Sequence, residues 1–199
     1  MNKLFLTLAA FFLSLSVFSQ DRFQEIQHYK FFKVQTDIGY ARPAGNGVKA
    51  GLLLALEPKI NLSDKVSVGL RSEATFMARA GYSINNVSAD AEAGLGLAIL
   101  PTVDYYFTNR LVRPFVGAGA GVYNFVSVQA STQNSNISVP AVSKFGGMLR
   151  AGVEIWHVRA GFHYNLVGKS GTINNNYYGL TIGIVFGGGV KEEYKGNEY

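Results

Sequence analysis

The stretch VKAGLLLALEPKINLSDKVSVGLRSEATFMARA, residues 48–80, decides the fold. In its first half Val48, Ala50, Leu52, Leu54, Leu56, Pro58 and Ile60 fall on one face, and Lys49, Gly51, Leu53, Ala55, Glu57 and Lys59 on the other. After Asn61-Leu62-Ser63-Asp64 the pattern repeats, with Val66, Val68, Leu70, Ser72, Ala74, Phe76 and Ala78 opposed to Lys65, Ser67, Gly69, Arg71, Glu73, Thr75, Met77 and Arg79. A strict period of two means β-strand. Both runs far exceed the usual strand of about 5–6 residues, and they match the roughly 9–11 residues a tilted strand needs to cross a bilayer.

Working outward, six more runs alternate in the same way: 32–40, 91–107, 114–126, 145–155, 158–166 and 178–186. No charged residue falls on any of the eight apolar faces, although 16% of the chain is charged. Lipid explains such exclusion, since Arg or Lys at the midplane of a barrel wall costs about 2–4 kcal/mol. The links after the second, fourth and sixth runs are short (61–64, 108–110, and a turn at Trp156-His157). Those after the first, third, fifth and seventh are mostly longer (41–46, 81–90, 131–143, 169–175). The expected fold is therefore all-β: an eight-stranded antiparallel up-and-down transmembrane barrel, with short periplasmic turns, longer external loops and both termini periplasmic. Tyr40, Phe76, Phe145, Tyr164 and Tyr178 then mark one rim, and Phe32, Tyr105, Phe107 and Phe186 the other.

Residues 1–19 have the basic start, apolar core and small final residue of a secretory signal peptide, residues 20–30 read as a periplasmic lead-in, 31–187 as the barrel and 188–199 as a polar tail. Removing the signal leaves 17 basic residues against 13 acidic ones. The basic residues are spread along alternate strand positions, so nucleic acid is not an expected partner. The absence of cysteine excludes a disulfide framework and a thiolate metal site, and no cofactor is expected.

The polar faces carry Lys33, Lys49, Lys59, Arg71, Arg113, Arg150 and Arg159 against Asp37, Glu57, Glu73, Glu92, Asp104 and Glu154. Buried charges must pair or stand desolvated at several kcal/mol each, so this near-balance predicts a charge network plugging the lumen. A polar ion path is the alternative. Catalysis is not expected: the histidines are His28, His157 and His163, and none stands with a serine and a third, orienting group.

Two segments carry a family resemblance: Arg113-Pro114-Phe115-Val116-Gly117-Ala118-Gly119-Ala120-Gly121-Val122-Tyr123, and the closing Tyr177-Tyr178-Gly179-Leu180-Thr181-Ile182-Gly183-Ile184-Val185-Phe186. The chain resembles the small eight-stranded outer-membrane barrels, the group of OmpA-like membrane domains, OmpX and OmpW, in their Bacteroidetes form. The resemblance implies an outer-membrane monomer in contact with lipid, built by the barrel-assembly machinery, which would read Tyr177, Gly179, Ile182, Ile184 and Phe186. It implies envelope integrity or surface interaction with an external ligand of unknown identity. An OmpW-like conduit for small hydrophobic molecules is the alternative. A soluble, lipocalin-like barrel is a further alternative, because inside and outside are interchangeable in the pattern alone. Pro101 cannot donate to a ladder, which predicts a bulge or break near Leu100-Pro101.

Overall fold

The computed structural model of the chain describes residues 28–44, 48–79, 92–128, 141–170 and 173–191. The signal segment, most of the lead-in and residues 192–199 lie outside the described residues.

Eight strands alternate through these segments: β1 Phe32–Pro43, β2 Val48–Asn61, β3 Val66–Arg79, β4 Glu92–Tyr106, β5 Val112–Val128, β6 Ala141–Ile155, β7 Val158–Leu166 and β8 Tyr177–Gly187. All pairings are antiparallel between chain neighbours, and β8 closes on β1, pairing Val34 with Phe186 and Tyr40 with Leu180. Closure removes both sheet edges, as backbone groups facing an apolar medium require. A two-stranded ladder, Lys169–Ser170 with Ile173–Asn174, stands apart in the β7–β8 connection.

The strands differ from the sequence runs at both ends of the barrel, β5 starting at Val112 instead of Pro114, but by more at the end away from the termini. β1 continues past Tyr40 to Pro43 and β6 starts at Ala141 instead of Phe145. In these extensions Arg42 and Ser143 take exposed outward positions, so the apolar alternation stops while backbone pairing continues. The change marks where the wall stops selecting for apolar side chains.

Around Pro101 the register stays regular. On the β3 side the ladder runs unbroken through Leu70 opposite Pro101. On the β5 side Ile99 pairs with Val122 and Thr102 with Gly119, skipping Leu100 and Pro101 without a change of register. Of the expected bulge or break, the break is what occurs: a two-residue gap in one ladder without a bulge, at the imide nitrogen that has no hydrogen to donate. The register shift lies elsewhere, between Lys49 and Leu52 in the β2–β3 pairing.

Inside and outside are no longer interchangeable. Leu180, Ile182 and Ile99 are 59%, 57% and 56% exposed on the outer wall, while Lys33, Glu57 and Arg71 are buried within. A lipocalin-like barrel has the opposite polarity, so that alternative falls.

Candidate functional site

The lumen is filled by charge. Six predicted cations (Lys33, Lys59, Arg71, Arg113, Arg150, Arg159) and five predicted anions (Asp37, Glu57, Glu73, Asp104, Glu154) are all buried. The side chains of Lys49 and Glu92 lie outside the described residues.

A column of contacts runs along the axis. At the end carrying the termini, the Arg113 guanidinium lies between the rings of Tyr29 and Tyr106, 3.9 and 4.1 Å from their centroids. Its Nη1 donates to Glu154 at 3.3 Å and its Nη2 to the Asp64 carbonyl at 2.6 Å. Glu154 also pairs with Lys33 at 3.1 Å and accepts the Tyr106 hydroxyl at 2.8 Å. Tyr106 is a hub, because its oxygen accepts from Lys33 and from Arg159, each at 2.8 Å. Arg159 passes the column to Asp104 at 2.8 Å, and Asp104 takes Lys59 at 2.6 Å and Arg150 Nε at 2.7 Å. Arg150 clasps Glu57 through both terminal nitrogens at 2.7 Å, the bidentate geometry that makes arginine–carboxylate bonds strong.

Above this, Arg71 donates to Asp37 at 2.7 Å and Glu73 at 2.8 Å. Glu73 accepts the Tyr177 hydroxyl at 2.6 Å and lies 3.7 Å from His163 Nε2. The Tyr123 hydroxyl donates to Asn165 at 2.7 Å. The far end then turns apolar, with Leu53, Ala98, Leu100 and Met148 buried beside Tyr123 and Tyr177.

The glycines of the inner wall are the footprint of these long side chains. Gly117 stands opposite Asp104, Gly183 opposite Asp37 and Gly179 opposite His163. A Cβ at each would strike that partner: Asp104 Oδ1, Asp37 Oδ1 and His163 Nε2. Gly179 and Tyr177, singled out for an assembly signal, thus both have work in the lumen. Ile182, Ile184 and Phe186 stand exposed on the wall.

Sequence reasoning passed over the tyrosines of the column, Tyr106, Tyr123 and Tyr177. The signal was available for Tyr106, since alternation through Tyr105 and Phe107 on the wall turns it inward. It also missed the cap at the termini end. Lys30 N donates to the Gly189 carbonyl at 2.9 Å, Lys191 N to His28 O at 2.8 Å, and Tyr29 bridges to Val190. His28 Nδ1 lies 2.7 Å from Asp64 in the β2–β3 turn. Burial under this cap raises the pKa of the Tyr29 phenol, with the Arg113 cation working against the rise.

Charge is unevenly distributed along the axis. Lys33, Lys59, Arg113, Arg150 and Arg159 face Glu57, Asp104 and Glu154 in the half nearer the termini, whereas Arg71 alone faces Asp37 and Glu73 beyond. Within the column, the half nearer the termini therefore holds two more cations than anions.

No protein-family model and no curated protein matches the sequence. Among solved structures the chain is similar to Neisserial surface protein A, with 20% identity, 80% of this chain and 98% of that one covered, and a TM-score of 0.59. It is also similar to the outer membrane protein OprG of Pseudomonas aeruginosa (15% identity, 81% and 98% covered, TM-score 0.49), and to Ail of Yersinia pestis (14%, 79% and 100%, 0.47). At such identities the likeness is one of fold, that of the small eight-stranded outer-membrane barrels.

Proposed function

We propose that this chain is a non-enzymatic outer-membrane protein with a closed lumen, and that it works from its surfaces, in envelope integrity or by contact through the connections at its far end. The observation that carries the reading is the continuous column of buried ion pairs from Tyr29 to Tyr177. An eight-stranded barrel has room inside for little more than its own side chains. The membrane location is supported by the wall, where large apolar side chains are exposed on every strand, far more than the few hundred Å² of patch a soluble monomer carries. Termini on the periplasmic side are supported by the short turns at that end, 62–65, 107–111 and 156–157. Lipid is the implied partner, with the assembly machinery during biogenesis and the chain as a monomer. The test is single-channel recording on the refolded protein in planar bilayers. Closed bilayers at all voltages are expected, and reproducible unitary steps would overturn the closed lumen.

One observation favours a second reading, the narrow conduit for small hydrophobic molecules. The far-end interior is apolar, with Met77 and Phe125 packed against Leu53, Leu100 and Met148. A hydrophobic guest could enter there but would meet Arg71 and Glu73 beneath. Uptake of an apolar dye into liposomes bearing the protein, in the absence of ion conductance, would favour this reading over the first.

A further inference from the structure

A groove of about 540 Å³ is sunk in the outer wall across β2, β3 and β4. Its floor is Ser72 and Ala74; Leu54 and Leu56 stand on one side, Leu97 and Ile99 on the other. The register explains the shape. Leu56, Ser72 and Ile99 lie side by side, as do Leu54, Ala74 and Leu97, so two small residues of β3 run between two ranks of exposed branched ones. A recess that nothing enters forfeits the dispersion contacts of its lining, and an apolar one holds no water.

The groove is closed toward the far end and open toward the termini end. The next row beyond it is Tyr40, Leu52 and Phe76, all large and exposed. The row before it sets Val34 beside Pro58 and Leu70 beside Pro101, where three of the four side chains are shorter than leucine. Ser72 is seven residues from Lys65, which at about 3.3 Å per residue and a tilt of about 40° is a depth of about 17 Å; half the hydrocarbon of a bilayer is about 15 Å. The groove thus lies where the acyl tails of a leaflet end when its head groups stand level with Lys65.

The rim at that level suits a phosphate. Lys65 and Lys30 are exposed there, and Asn61 Nδ2 donates to the Lys30 carbonyl at 2.7 Å, which holds Lys30 beside the β2–β3 turn. The acid of that turn, Asp64, is already engaged: it accepts His28 N at 2.9 Å and Tyr29 N at 3.1 Å and stands 2.7 Å from His28 Nδ1, its side chain 10% exposed. Tyr105, paired with Val66, and Phe107 meet edge to face at 5.5 Å on the adjoining rim, the amphipathic level of a bilayer that aromatic rings favour.

From the groove and the rim together we infer that the β2–β4 wall seats one phospholipid of the periplasmic leaflet, its phosphate at Lys65 and Lys30, its glycerol region against Tyr105, and one acyl tail over Val68 and Leu70 with its end on Ser72 and Ala74. The inference rests on the outer-membrane reading with the termini end periplasmic. A second barrel presents a convex wall, which meets a recess only at its rims; a flexible tail can fill it.

In the test, the full mature chain is refolded into vesicles, extracted in detergent and titrated with palmitoyl-oleoyl phosphatidylglycerol while native mass spectrometry counts retained lipids. One lipid held at least tenfold tighter than any further one is expected. Dihexanoyl phosphatidylglycerol, with the same head group and tails too short to reach Ser72, should be held at least tenfold more weakly. Ser72→Leu fills the groove from an exposed position and should lower the long-chain affinity at least fivefold. Ala160→Leu, at an exposed wall alanine of β7 across the barrel, should leave it unchanged. Lys65→Ser should weaken the preference for phosphatidylglycerol over phosphatidylcholine of the same tails and spare the preference for long tails. Equal affinity in Ser72→Leu and Ala160→Leu, or a graded series of adducts with no tight first one, overturns the seat; a dimer that Ser72→Leu disperses also overturns it, giving the groove to a second copy. A chain that does not insert into vesicles at all would overturn the membrane reading itself, whereas an inserted barrel without the tight lipid is a failure of the seat alone.

Discussion

At the scale of single residues, the lumen is a packing problem solved by placing glycine opposite charge. Gly117 makes the cost explicit, because a methyl there would overlap Asp104 Oδ1, sit 2.7 Å from the Val103 carbonyl and lie 3.1 Å from Arg150 Nε. Gly117→Ala should therefore lower stability by about 1–3 kcal/mol, the range for overpacking a filled interior. Gly147, whose Cβ would meet nothing nearer than 3.6 Å, should accept alanine with little change. Urea titration followed by the folded-to-unfolded gel shift measures both, and equal tolerance would remove the footprint argument. Tyr106→Phe tests the hub. It strips the acceptor from Lys33 and Arg159 and a donor from Glu154, so a loss of about 1–3 kcal/mol is expected, against almost none for Tyr105→Phe on the wall. Tyr29 makes a prediction in pH. Its phenol is neutral in folded and unfolded chains below the ordinary pKa of about 10; because burial raises the folded value, cap stability is intact below that pH and is lost as pH climbs through the raised pKa. The 295 nm absorbance of the wild type minus that of Tyr29→Phe should thus titrate above pH 10; a midpoint at or below it would place the ring in solvent.

At the scale of elements, legibility in the sequence depended on whether a segment has two different faces. Strands β2, β3 and β7 were readable almost to the residue because lipid selects one face and the packed lumen the other. The ends of β1 and β6 were not, since Arg42 and Ser143 take outward, exposed positions there and pairing continues without a polarity signal. The cap was illegible for a related reason: residues 28–30 and 188–191 meet through a few backbone bonds, which impose no side-chain period. Truncation separates this element from the barrel. A chain ending at Gly187 keeps β8 and its wall residues Ile182, Ile184 and Phe186, and should still assemble, but it loses the bonds of Gly188 N to Phe32 O, Lys30 N to Gly189 O and Lys191 N to His28 O. At about 0.5–1.5 kcal/mol each, these three bonds are worth about 1.5–4.5 kcal/mol. A chain ending at Lys191 should match the full length. If the shorter chain is as stable as the longer, the cap is ornamental; if Phe186→Ser assembles normally while the shorter chain does not, assembly is directed by the tail.

At the scale of the whole molecule, the barrel is a soluble protein turned inside out, and the sign of a substitution's effect should depend on which surface it touches. The charge network was legible from alternation and near-balance, because an apolar outer face leaves ionised residues nowhere else to go. What composition could not supply was the order of the ion pairs along the axis, which is set by strand stagger. Arg71 and Leu54 make the decisive pair. Arg71 is fully enclosed and bonded to Asp37 and Glu73, with Glu57 3.4 Å away. Arg71→Glu would put a fourth carboxylate beside Asp37, Glu73 and Glu57, the first two of which would lose their cation while Glu57 keeps Arg150, and breaking a buried pair from one side costs about 3–5 kcal/mol before the new repulsion is counted. Leu54 is 40% exposed on the wall, so Leu54→Ala leaves no enclosed cavity and should cost little in a bilayer. Leu54→Arg, however, should cost about 2–4 kcal/mol in a phospholipid bilayer and much less in a short-chain detergent whose head groups reach the wall. Arg71→Glu should be equally damaging in both media, because its environment is protein. Folding free energies of the three variants in vesicles and in micelles check this directly: a medium-dependent cost for Leu54→Arg beside a medium-independent one for Arg71→Glu is the expected result, and the reverse assignment would mean that the wall and the lumen have been exchanged.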